Sequence, residues 1–177
     1  MINGMKIKTA RLVLRPFEMC DLDTTYEYAN DHTITEYMLY LPSGSKEGTK
    51  RFLQKAINEW SKSDPLLYEF AVIFDGKHIG AASVALDESR QNGEIGWIIH
   101  KDYQGRGFAT EAAKAVMDFA FDKLKVSKVI AHCDYRNKPS VRIMEKIGLS
   151  LEGDKGTRQN KGSGKETQEL MYSAYRD

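Results

Sequence analysis

A chain of 177 residues, 41% hydrophobic and 29% charged, is long enough to fold as one domain with a real core, spanning residues 1–177. The formal net charge of +1 gives no general attraction to nucleic acid or to a membrane surface, and no apolar run approaches the roughly 20 residues of a membrane span. Cys20 and Cys133 stand far apart, and MINGMKIKTARL lacks the apolar core of a secretory signal, so a reduced, cytoplasmic protein without a disulfide is expected.

In chain order, Arg11 to Phe17 alternates apolar and polar side chains, as a half-buried strand does. A helix over Leu22 to Ala29 follows, with Asp21 or Asp23 as its cap. Tyr26, Tyr28, Tyr37, Met38 and Tyr40 form an aromatic stretch read as core and wall packing, with a substrate cleft as its other reading. A second helix is predicted from about Glu47 to Ser61, before Pro65 interrupts the pattern. Leu67 to Phe74 and His78 to Leu86 read as strands joined by the hairpin signal Asp75-Gly76. Gly93 to His100 reads as a third antiparallel strand. Lys128 to Asp134 is a short buried strand. The next helix has Asn137 as its cap, Pro139 in its first turn and Gly148 as its stop. A strand starts over Leu149 to Glu152, the glycine- and lysine-rich stretch Gly153 to Glu166 reads as a mobile loop, and Glu169 to Tyr175 closes the chain. The order predicts a mixed, mostly antiparallel seven-stranded sheet with helices on both faces, an α/β (α+β) architecture.

The chain is organised around His100 to Leu124, where two glycines, Gly105 and Gly107, lead into a periodic helix. Ala109, Ala112, Ala113, Val116, Ala120 and Leu124 share its apolar face. A helix start carries unpaired N–H groups and the positive end of the peptide dipole, and glycines before it let a ligand approach the backbone, so the unit suits a phosphate or pyrophosphate. Arg106 adds a mobile positive charge. A Walker loop would need Gly-Lys-Ser/Thr where Gly107-Phe108-Ala109-Thr110 stands, and a dinucleotide fingerprint would need glycine at Thr110.

Gln104, Gly107 and Ala109 match the Q/R-x-x-G-x-G/A loop, and here the chain resembles the GNAT acetyltransferase superfamily. GEIGWII looks like that family's fourth strand, and Cys133 to Leu149 like its fifth strand and following helix, with N-x-x-S/A near the helix start. Thr9 to Asp31 is similar to the subfamily of ribosomal-protein N-terminal acetyltransferases. The resemblance covers nearly the whole chain. It implies acetyl-CoA as cosubstrate and a primary amine as acceptor: a protein N-terminus, or a small molecule such as a polyamine, an aminoglycoside or an amino-acid-like metabolite. No His/Cys/Asp/Glu cluster has metal-ligand spacing, so no metal is expected. A catalytically silent acyl-CoA sensor is the reading from another class. By the same resemblance the backbone of Gln104, Gly105, Arg106, Gly107, Phe108, Ala109 and Thr110 would bind the pyrophosphate. The main chain of Trp97, Ile98 and Ile99 would hold the pantetheine arm, in a gap between splayed strands. Asn137 would bond the pantetheine, cap its helix, or do both.

Acetyl transfer needs a neutral amine, a polarised carbonyl and a proton for the leaving thiolate. The family often places a glutamate where Glu94 stands, which makes it the candidate base. His100 and His132 are alternatives by chemistry, though His132 in its apolar strand reads as a core histidine. The family's usual acid, a tyrosine, is replaced by Met144, which cannot donate a proton. Ser140 is then the candidate acid, with helix capping as its other reading. Leu149 replaces the family's usual phenylalanine. The sequence names neither the acceptor nor the oligomeric state.

Overall fold

The computed structural model describes residues 5–176. The first half runs through β1 (Ile7–Lys8), β2 (Leu12–Pro16), a short 3-10 turn, α1 (Leu22–Asn30), the single turn α2 (His32–Thr35) and α3 (Lys46–Trp60). Then come β3 (Leu67–Phe74), β4 (Lys77–Leu86), β5 (Asn92–Ile99), α4 (Phe108–Asp122), β6 (Lys128–Asp134), α5 (Lys138–Lys146), β7 (Ser150–Gln159) and β8 (Glu166–Tyr175). The eight strands form one sheet in the order β1-β2-β3-β4-β5-β6-β8-β7. The strand beyond the seven expected is β1, two residues that pair with Val13 and Leu14. All neighbours are antiparallel except β5 and β6. The Asp75-Gly76 turn is as the sequence indicated, with φ of 49° and 73°, the two left-handed positions a tight hairpin needs.

Helices cover both faces. On one, α4 buries Ala112, Ala113, Val116 and Ala120 completely against Leu14, Phe70, Val72, Val84 and Ile95. On the other, Leu53 and Ala56 of α3 meet Phe17, Ala71 and Ala81, with Leu22 and Ile98 beside them. Tyr28 is buried, while Tyr40 is 84% exposed, so the aromatic stretch is divided between core and surface.

Two local expectations are corrected. Asp21 holds the cap position of α1, but its side chain makes no cap bond. It accepts from Arg15 Nη1 and Nη2 at 2.7 and 2.8 Å and from the Glu18 N–H at 2.8 Å, because a buried carboxylate needs a charged partner more than a helix needs a cap. Gly153 to Glu166 is mostly strand, not a mobile loop. β7 continues to Gln159, with irregularities in register between Leu151 and Gly153 and between Asp154 and Thr157. Gly153 and Gly156, at φ of 132° and 98°, are the residues that let the strand bulge and continue. The hairpin is then pinned from inside. Asp134, fully buried on β6, accepts from Asn160 Nδ2 at 2.6 Å and Thr167 Oγ1 at 3.3 Å, and Arg158 Nε donates to Asn160 Oδ1 at 2.9 Å.

Candidate active site

The sheet opens at one place. β5 and β6 pair only through Asn92↔Lys128, Gly93↔Val129 and Glu94↔Ile130, and beyond Glu94 they diverge. Trp97, Ile98 and Ile99 still pair with Ala82, Ala81 and Gly80 of β4, so their other flank borders the gap. The N-terminus of α4 stands at its mouth. Gly107, at φ 80°, is the N-cap and supplies no side-chain cap. The first bond into the helix is Glu111 N–H to Gly107 O at 3.0 Å, which leaves the N–H groups of Phe108, Ala109 and Thr110 ahead of it. Gly105, at φ 72°, makes the turn before. This start can accept an anion. The Phe108 side chain is core, so that residue can offer a ligand only its main chain.

The loop is braced more firmly than its glycines suggested. Arg11 Nη1 donates to Arg106 O at 2.9 Å, Arg11 Nε to Glu111 Oε2 at 2.7 Å, and its guanidinium lies 4.5 Å above the Phe108 ring. Thr9 Oγ1 and the Arg11 N–H donate to Glu111 Oε1 at 2.6 and 2.8 Å. These partners were missed because a hundred residues separate them and nothing local marks them. Arg106, expected as a mobile charge, rests 4.9 Å from the Phe108 ring centre and 5.2 Å from that of Phe74, so aromatic faces hold it. Gln104 Nε2 donates to Ile99 O at 2.9 Å, tying loop to strand and occupying the Ile99 carbonyl. His100 accepts from the Asp102 N–H at 3.3 Å and lies 3.7 Å from Glu27 Oε2 of α1.

Where the strands part, His132 Nδ1 lies 3.0 Å from Glu94 Oε1. Glu94 is half exposed and His132 about a fifth exposed, so His132 is not the core histidine expected. Alternation puts it on the same sheet face as Glu94, and the last parallel pair brings the two together. The bond from Glu94 raises the His132 pKa, against the opposing effect of burial. Asn137 Oδ1 caps α5 by accepting the Ser140 N–H at 3.2 Å. The cap therefore uses neither the Ser140 hydroxyl nor the Asn137 amide nitrogen. No hydrogen bond joins Ser140 to Glu94 or His132 among the described residues. Met144 and Leu149 are core side chains. Burial pushes the Cys133 thiol up to about 11, which removes it as a nucleophile at neutral pH. On the far wall, Arg158 Nη2 donates to Tyr37 O at 3.1 Å and the Lys161 N–H to Met38 O at 3.0 Å, tying the β7–β8 hairpin to the segment after α2.

The family model for an acetyltransferase (GNAT) domain matches residues 11–150. The chain belongs to the GNAT acetyltransferase family. Among curated relatives of this GNAT chain, the uncharacterized N-acetyltransferase YnaD of Bacillus subtilis is 33% identical over 156 residues, 84% of this chain and 85% of that protein. The spermidine N(1)-acetyltransferase of Escherichia coli is 30% identical over 142 residues, 80% of this chain and 74% of that one. In fold the chain is similar to the ribosomal α-N-protein acetyltransferase RimL in complex with coenzyme A, with TM-score 0.84, 98% and 99% of the two chains covered and 17% identity. The protein is thus an acetyl-CoA-dependent N-acetyltransferase. The strand gap, the uncapped helix start and the two arginines beside it fit such a cosubstrate. No helix among the described residues is long and apolar enough to cross a membrane.

Proposed function

We propose that this enzyme acetylates a small, positively charged primary amine by direct attack on acetyl-CoA, with the Glu94–His132 pair as the base, working as one domain in a reducing cytoplasm. The observation that carries the reading is the 3.0 Å contact between His132 and Glu94 at the point where β5 and β6 part. Acetyl-CoA supplies an acyl carbon activated as a thioester. In this reading the amides of Phe108, Ala109 and Thr110 and the turn from Gln104 to Gly107 hold the pyrophosphate. The main chain of Trp97 to Ile99 lies along the pantetheine arm, and Asn137 bonds it through the amide nitrogen its cap leaves free. The incoming ammonium gives a proton to the pair. The neutral nitrogen then bonds to the carbonyl carbon and gives up its second proton to solvent, the carbon–sulfur bond breaks, and the thiolate takes a proton from the Ser140 hydroxyl, which solvent restores, while the pair releases its own proton to solvent. Bringing amine and thioester together in one site removes much of the entropic barrier.

A small amine is favoured as acceptor by the spermidine-acetylating relative, whose likeness runs along most of both chains; the likeness to RimL is one of fold. A protein N-terminus is the other arm of the test. Turnover is measured against pH for wild type and Glu94→Gln, with a polyamine and with a peptide N-terminus. General-base assistance is worth about 10²–10⁴-fold, so the variant is expected to lose at least a few tens-fold at neutral pH. The loss shrinks at high pH, where neutral amine is more abundant. It is smaller for the peptide, because an α-amino group has a pKa near 8 against about 10.4 for an alkyl amine. A variant equal to wild type across the range refutes the base, and acetylation of peptides alone refutes the small-amine acceptor.

A further inference from the structure

Glu69 of β3 stands opposite Ser83 of β4, and Ser83 stands opposite Gly96 of β5. Paired residues share a sheet face and alternate residues return to it. Glu94, two residues from Gly96 and opposite Ala85, therefore projects from the same face as Glu69. That face carries α1 and α3, but they cover only part of it. Ala71 and Ala81 are sealed beneath them, whereas Ser83, Ala85 and Gly96 are only half-buried. A lane of small side chains thus runs between two carboxylates, with about 12 Å between their α-carbons by strand spacing and rise.

The Glu69 end of the lane lies deep. β2 stops opposite Phe70, and Trp60 Nε1 of α3 donates to the Glu69 carbonyl at 2.8 Å, which fixes the backbone. The carboxylate itself has no hydrogen-bond partner and no charged neighbour among the described residues, and burial alone pushes its pKa up to about 7. The titratable group facing it from α1 is Tyr28, whose own pKa burial drives up, so it stays neutral. Trp60 from α3 and Ser83 from β4 carry no charge. Part of Glu69 nonetheless remains accessible. It is a largely desolvated acid on a residue that is still partly accessible, and an unpaired buried carboxylate is costly until a cation meets it.

We propose that Glu69 anchors a second ammonium group of the acceptor, so that the substrate is an aliphatic diamine or polyamine with one end at Glu94 and the other at Glu69. The proposal rests on the acetyl-transfer reading above, which assigns the reacting end to Glu94. A neutral acceptor or one with a single amine leaves Glu69 unpaired. A diamine pairs both acids across the small-residue lane.

The test is a binding measurement, so that it does not depend on turnover. Calorimetry on the coenzyme A-bound protein compares cadaverine and spermidine with pentylamine, which has the carbon chain of cadaverine and one amine. A charge-assisted bond in a partly desolvated site is worth about tenfold or more in affinity. Wild type is expected to bind the diamine at least about tenfold more tightly than the monoamine at pH 8, with the gap narrowing at pH 6 as Glu69 takes a proton. Glu69→Gln should lose that advantage while binding coenzyme A unchanged. Equal affinities for cadaverine and pentylamine in wild type, or undiminished diamine binding by Glu69→Gln, overturn the proposal. If the variant fails to bind coenzyme A, the wild-type comparison decides alone. A protein that binds diamines through Glu69 yet acetylates no amine would refute the transferase reading and leave this assignment standing.

Discussion

At the scale of single residues, most functional side chains here carry two duties, and geometry separates them. Asn137 and Ser140 are the clearest case. The sequence left capping and catalysis as rival readings of Ser140, and capping, pantetheine binding or both as readings of Asn137. In the structure the cap consumes only the Asn137 carbonyl oxygen and the Ser140 N–H, so the remaining polar atoms are available for chemistry. Ser140→Ala keeps its N–H and therefore keeps the cap. Its melting temperature is expected to stay within about 2 °C of wild type, the effect of a neutral surface change. A thiolate contact matters chiefly in the transition state, so turnover should fall while the Michaelis constant for acetyl-CoA holds. Steady-state kinetics beside a thermal melt check both parts. A rise in the Michaelis constant with unchanged turnover would make Ser140 a ground-state binding residue.

At the scale of elements, the glycine turn and the start of α4 are held in place from another part of the sheet. Gly107 has the left-handed backbone that its type permits, but permission is not rigidity. Rigidity comes from the strand side, where Arg11 bonds at once to Arg106 O and Glu111 and stacks on Phe108. Arg11→Ala removes the tie and leaves Glu111 without its cation. The turn should then sample other conformations, and coenzyme A affinity is expected to fall about tenfold, of the order of one lost charged hydrogen bond. Calorimetric titration measures it, and unchanged affinity in the folded variant would show that the turn holds its shape alone. The Glu94–His132 pair is likewise an element-level product: a three-residue parallel ladder ends beside it.

At the scale of the whole molecule, buried titratable groups set how stability responds to pH. Glu69 has a folded pKa of about 7 against 4.5 in the free side chain, so between those values the folded state holds more protons than the unfolded one. Its contribution to stability therefore falls as pH rises through that window. His132, raised by Glu94, contributes stability that is present below about 6.5 and lost as pH climbs through its folded pKa. Both effects make the protein less stable at pH 8 than near pH 5.5. At the other end, Glu152 is held down to about 2 by Lys128 and Ser173, and its contribution is lost only as pH falls below the usual carboxylate range. In the absence of amines, Glu69→Gln should flatten the alkaline decline and be more stable than wild type at pH 8 by about 1–3 kcal/mol. Urea unfolding at the two pH values tests this, and parallel declines in both proteins would mean that the Glu69 carboxyl is solvated.

Local patterns carry local structure, and the sequence settled what depends on neighbours in the chain. Alternation marked β2 to within a residue at each end, Asp75-Gly76 marked the hairpin between β3 and β4, the three-and-four spacing of alanines marked the buried stripe of α4, and Gln104, Gly107 and Ala109 marked the loop and, with it, the family. It failed where a residue's partner is remote. Gly153 and Gly156 read as loop because a bulge and a turn use the same residue, and only the pairing of β7 with β8 tells them apart. Asp134, Asn160 and Arg158 become one buried network only when β6, β7 and β8 are side by side. His132 meets Glu94, 38 positions away, and Glu69 comes to share a lane with Glu94, because the register of β3, β4 and β5 fixes which side chains rise from one face. Charge pairing and burial are properties of distance in space, and distance across a sheet is set by register, which no stretch of sequence states on its own.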